Sequence, residues 1–137
     1  MCEKYLVFQY GSHCYAVEND RVERILSAEQ IWELPVNSKI VKGILRVNDT
    51  MAAVIDVEAL VFHHAVDKET YILVLQLKDE YVGICASAIR GTYEIAEELW
   101  TASQNPVLPY AIRRAGETWY HLQLERLAGG DEHAPDE

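Results

Sequence analysis

Basic residues are scarce in this chain. Its 12 lysines and arginines stand against 22 aspartates and glutamates, a formal net charge of −10 over 137 residues. Binding to a phosphate backbone needs a clustered basic surface that releases counterions, so the balance argues against nucleic acid as a partner. Long apolar runs are missing as well. No stretch of about 18 apolar residues occurs. Met1-Cys2-Glu3-Lys4-Tyr5 lacks the basic start, sustained apolar run and small-residue cleavage site of a leader. The expectation is a soluble, cytosolic protein that is not inserted in a membrane.

Cysteine is sparse too. Cys2, Cys14 and Cys85 are an odd number at wide spacings with no Cys-x-x-Cys pair, so neither a disulfide framework nor a zinc knuckle is signalled. The seven glycines are scattered and build no phosphate-cradling loop. Ser12 and Ser87 lack a Gly-x-Ser-x-Gly elbow, and Cys14 and Cys85 sit in no nucleophile motif. No catalytic residue and no cofactor is nominated. His63-His64, followed by Asp67, is the one metal-like cluster. Adjacent side chains point to opposite faces of a strand and diverge by roughly 100° on a helix, so a solvated linker is the better reading. A ligand- or metal-sensing β-barrel, motivated by those histidines and the aromatic content, is the alternative from another class.

Half of the residues are apolar, enough for one sizeable core and too few for two ordinary domains. A single unit is expected over residues 1–130. After Gly129-Gly130 come Asp131, Glu132, Asp136 and Glu137, four of the ten excess negative charges, which leaves −6 on the body. Residues 131–137 read as a disordered acidic tail.

Set against itself at an offset of 67, the chain falls into register without a gap. Val7 meets Val74, Phe8 meets Leu75 and Gln9 meets Gln76; further on, Arg46 meets Arg113, Ile55 meets Leu122, Val57 meets Leu124 and Glu58 meets Glu125. The turns coincide, since Asn48-Asp49 falls on Ala115-Gly116. Each half therefore opens with a hairpin (Lys4 to Tyr10 with Cys14 to Val17; Tyr71 to Leu77 with Tyr81 to Ala86), runs through a connection and ends in a second hairpin. Short strand-like runs bounded by Gly, Asn and Asp predict an all-β fold of two small barrels joined through a shared apolar face. One barrel of about 65 residues buries too little alone. Short helical turns are expected near Val57 to Leu60, Ala96 to Trp100 and Glu125 to Leu127.

The stretch from Leu34-Pro35 through Lys42-Gly43-Ile44-Leu45-Arg46-Val47, the turn Asn48-Asp49 and the strand ending Val54-Ile55-Asp56-Val57 resembles the signature region of CheW-like domains. Tyr81-Val82-Gly83-Ile84 is similar to the family's Val-Gly-Leu strand, and Leu122 to Leu127 to its closing strand. The likeness spans nearly all of Lys4 to Leu127. It implies two SH3-like five-stranded barrels and an adaptor role without chemistry. The partners it implies are the regulatory domain of a histidine autokinase and a methyl-accepting chemoreceptor, at a membrane-associated receptor array. The chain reads as a divergent member. Asn48-Asp49 replaces the arginine and glycine of the family's turn, Ala53 its proline, Ser87 and Gln123 two of its aspartates. An accessory scaffold of a pilus-linked or polar-localisation chemosensory system is the variant reading which that turn suggests.

The resemblance places partner contacts at Val41, Ile44, Val47, Asn48 and Asp49. Trp32, in a loop-like stretch, is either a docking anchor or a barrel plug. Trp100 and Trp119 are expected to cover barrel ends. Gly43, Gly83 and Gly116 are assigned structural roles, as is Asp56, placed where a carboxylate accepts backbone N–H groups at the start of a helical turn.

Overall fold

The computed structural model describes residues 2–31, 40–64, 66, 69–114, 116–123 and 125. The first half holds β1 (Cys2–Tyr10), β2 (His13–Glu18), β3 (Val22–Ser27), β4 (Val41–Val47), β5 (Thr50–Ile55) and α1 (Val57–Phe62). The second holds β6 (Tyr71–Leu77), β7 (Glu80–Ala86), β8 (Ala88–Ala96), the two-residue β9 (Thr101–Ala102), β10 (Tyr110–Arg114) and β11 (Glu117–His121). Three 3-10 turns lie at Asn19–Arg21, Ala28–Gln30 and Glu97–Leu99. The helical turns expected near Val57 and Ala96 are present. Beyond Glu125, the third expected turn lies outside the described residues, as do the acidic tail, Trp32 and Asp67.

Two sheets result, in the orders β8-β1-β2-β11-β10-β9 and β3-β6-β7-β5-β4. Shifting the second set by the repeat offset reproduces the first, with β9 as the one extra strand. The registers repeat as well. Tyr120 lies beside Tyr15 in the parallel pair of one sheet, as Ala53 lies beside Val82 in the other. Even the irregularities match: the β1–β8 ladder slips between Val7 and Phe8, and the β3–β6 ladder between Val22 and Arg24.

The all-β architecture with two corresponding five-strand units follows the sequence expectation. The halves, however, do not each fold into their own sheet. The opening hairpin of each half pairs with the closing hairpin of the other, through β2–β11 and β7–β5. The connections are also more than connections, because β3 and β8 are strands that complete the sheet of the opposite half. The apolar sequences explain the exchange. Tyr5 to Phe8 in β1 and Ile72 to Leu75 in β6 are buried at every successive residue, so both faces of each strand need cover. Leu6, Phe8 and Tyr10 face the core shared by both sheets, while Tyr5 and Val7 face a smaller cluster with Ile95, Ile112 and Trp119.

Candidate docking site

In the β4–β5 hairpin, Val47 pairs with Thr50, Arg46 with Met51, Leu45 with Ala52 and Ile44 with Ala53, with a bulge between Val41 and Gly43. Alternation then sorts the side chains. Leu45, Val47, Ala52 and Val54 point inward and are buried; Ile44, Arg46, Met51 and Ala53 point outward, while Ile55 packs against the core edge. The row continues sideways, since Ala53 pairs with Val82 on β7. Ile44, Ala53 and Val82 thus form one line of apolar side chains, with Met51, 48 % exposed, next to it.

The turn closes this surface. Asn48 has φ 54°, a left-handed conformation that asparagine tolerates better than most residues and that a two-residue hairpin turn requires. Its side chain accepts from Arg24 Nη2 and donates to the Tyr81 hydroxyl, both at 3.4 Å, while Arg46 Nε donates to its carbonyl at 3.4 Å. A turn without its own arginine is therefore flanked by two, one from β3 and one from β4. Asn48 and Asp49 are exposed, and Val41 and Ile44 half-buried. Val47 is a correction: it is wholly enclosed and offers no side-chain surface to a partner, because its alternation phase matches Leu45. Met51, Ala53, Val82 and the two arginines went unnominated. Thr50 to Ile55 is so uniformly apolar after its first residue that its inward phase is unreadable before the strand is paired.

Behind the hairpin, Asp56 fixes its base. Its Oδ1 accepts the Ala59 N–H at 2.9 Å and so caps α1. Its Oδ2 accepts the Val66 N–H and the Tyr10 hydroxyl, each at 3.2 Å, with Lys42 Nζ at 4.0 Å. Lys42 also donates to the Val66 carbonyl at 2.7 Å and lies 3.6 Å from Glu69. Burial, with Cys85 and Asp56 nearby, raises the Tyr10 phenol far above its ordinary pKa. A wholly buried carboxylate whose oxygens are engaged in this way holds the fold and reaches no substrate.

The other nominated residues are placed as follows. Gly43 is buried at the β4 bulge, and Gly83 is buried where a Cβ would stand 3.0 Å from Ile72 Cγ2. Gly116 supplies the φ of 79° that the β10–β11 turn needs. Trp119 is buried against Tyr93 at 5.0 Å, and Trp100 is half-buried beside Tyr5. His63 ends α1 in a left-handed conformation, and both it and His64 are exposed. Among the described residues, no group of three or more His, Cys, Asp or Glu side chains is arranged to hold a metal ion.

Comparison with known proteins is decisive about the family. The model of the CheW-like domain matches residues 4–131. The chain belongs to the CheW-like domain family. Its structure superposes on the scaffolding protein TtCheW from Thermoanaerobacter tengcongensis with a TM-score of 0.80, covering 93 % of this chain and 88 % of that one at 16 % sequence identity. At that identity the likeness speaks to the fold. No curated protein matches the sequence. Within this CheW-like domain, the hairpin that carries the family resemblance is also the one that exposes the apolar row. Among the described residues no helix is long and apolar enough to cross a membrane.

Proposed function

We propose that this CheW-like domain is a non-catalytic adaptor of chemotaxis-type signal transduction, docking a histidine autokinase regulatory domain and a chemoreceptor by surface complementarity. The observation that carries the reading is outward Ile44 and Ala53 with exposed Met51 and half-buried Val82 beside them, flanked at the turn by Arg24 and Arg46. A small apolar patch rimmed by arginine is the anatomy of a transient signalling interface, with an anchor at the centre and charge at the rim. Arg24 and Arg46 at this tip offer guanidinium donors to an acidic partner edge.

The test is affinity purification from the native cell, with bound proteins identified by mass spectrometry, for wild type, Met51→Asp and Asn48→Ala. Recovery of a histidine kinase or methyl-accepting receptor, reduced about tenfold or more by Met51→Asp at unchanged thermal stability, supports the adaptor and this surface. If both variants keep every partner, the interface lies elsewhere. Recovery of a pilus-linked kinase in place of the standard one selects the accessory-scaffold form, which the Asn48-Asp49 turn motivates.

A further inference from the structure

On the other sheet, away from the β4–β5 hairpin, Tyr5, Trp100, Tyr110 and His121 line a cavity of about 510 Å³. Three of the rings are in mutual contact. Tyr5 meets Trp100 edge-on at 5.3 Å and His121 at 5.4 Å, and His121 stacks on Trp100 at 5.0 Å. Glu3, Glu18 and Glu97 line the same cavity, and its described lining holds no lysine or arginine. His121 is only 8 % exposed, and its Nε2 is paired with Glu18 Oε2 at 3.5 Å. Burial raises the Tyr5 phenol above its ordinary pKa; the Trp100 indole opposes, and the same three carboxylates add to the rise.

Each class of ligand can be weighed against that lining. An anion meets three carboxylates. A neutral apolar ligand desolvates them without pairing them. A bare metal ion needs converging oxygen or nitrogen donors, and among the described residues no three carboxylates or histidines are arranged to hold one. A guanidinium or alkylammonium group meets both requirements, since its charge is drawn to ring faces and carboxylates together and its carbon surface to the rings. The volume is within the usual range of small-ligand sites, roughly 300–1,000 Å³.

We infer that this cavity is a binding site for an organic cation carrying a guanidinium or alkylammonium head. Trp100 and Tyr110 supply the ring faces, and Glu3, Glu18 and Glu97 the countercharge. The inference does not rest on the adaptor reading. It leaves two sources for the cation, an arginine side chain of a partner protein or a free small amine.

The experiment follows the Trp100 indole N–H and the His121 amide by NMR while the full chain is titrated with N-acetyl-arginine amide, with choline, and with 3,3-dimethylbutanol as choline's neutral isostere. Saturable shifts are expected from at least one cation below about 50 mM, with none from the isostere. Glu97→Gln and Tyr110→Ala, both at exposed positions, should each weaken that binding about threefold or more. Binding by the arginine amide alone assigns the site to a protein side chain, and binding by choline assigns it to free amines. Equal shifts from the neutral isostere, indifference to both variants, or no saturable shift from either cation overturns the assignment.

Discussion

Glu58 Oε2 stands 2.7 Å from His13 Nδ1 and accepts the hydroxyl proton of Tyr15. Glu58 belongs to α1, whereas His13 and Tyr15 belong to β2 in the opposite sheet. Phe62, one turn on, stacks on the His13 ring at 3.8 Å. Two residues earlier, Asp56 holds Tyr10 of β1. A six-residue helix and its N-cap thus carry two buried carboxylates that bolt one sheet to the exchanged hairpin of the other.

Removing the Glu58 carboxylate should therefore be costly. Glu58→Ala leaves the buried Tyr15 hydroxyl without an acceptor and is expected to lower stability by about 3 kcal/mol, while Glu58→Gln, which keeps an acceptor oxygen, loses about 1 kcal/mol. Urea denaturation followed by tryptophan fluorescence measures both. A loss below about 1 kcal/mol for the alanine variant contradicts the bolt.

The Glu18–His121 contact makes stability depend on pH. The neighbouring imidazole holds the Glu18 carboxyl below its ordinary value of 4.5, against the opposing effect of burial. A folded-state pKa below the unfolded one means that the unfolded chain binds the proton more readily. The stabilisation is present above pH 4.5 and is lost as pH falls through the depressed value. Glu18→Gln should melt below wild type at pH 7, with the gap closing on acidification toward pH 3. A gap that widens on acidification has the wrong sign.

The thiols should differ in reactivity. Burial, with Glu69 and Asp56 adding, pushes the Cys85 thiol up to about 12, and burial raises Cys14 as well. Cys2 is exposed. Since the thiolate is the nucleophile, an aromatic disulfide reagent at pH 8 should label Cys2 in the folded protein and all three cysteines only after unfolding. Rapid native labelling mapped to Cys85 counts against its enclosure.

Gly83 and Gly116 should be intolerant for different reasons. At Gly83 an added Cβ meets Ile72 Cγ2 at 3.0 Å and Val54 Cγ2 at 3.2 Å, so Gly83→Ala is expected to cost about 2 kcal/mol through overpacking. At Gly116 nothing lies within 4 Å, and the cost, about 1 kcal/mol, comes from the positive φ. Gly116→Asn, which tolerates that conformation, should recover part of the loss, and Gly83→Asn should recover none. Thermal melts of the four variants separate the two causes.

Much of the fold was legible before any coordinates. The offset that lays Val7 on Val74 and Ile55 on Leu122 also maps one sheet onto the other, ladder slips included. Register survives duplication because it is set by local alternation and turn length, which each half carries in its own residues. Asp56 was readable as a cap for the same local reason. Val82 was not readable as a neighbour of Ala53 and Ile44, because it joins them sideways from a strand of the other half.

The sequence by itself determined the strands and their turns through local patterning and the duplication through the 67-residue offset, and it carried the resemblance to the CheW-like hairpin. Only the tertiary structure decided which half's hairpin each sheet would take, that Val47 faces the core, and that Arg24 and Arg46 converge on Asn48. It also decided that Tyr5 and His121, far apart in the chain, share one acidic aromatic wall. Those outcomes depend on burying strands that are apolar on both faces. A strand such as β1 states that need in its residues, and only its neighbours settle what meets it.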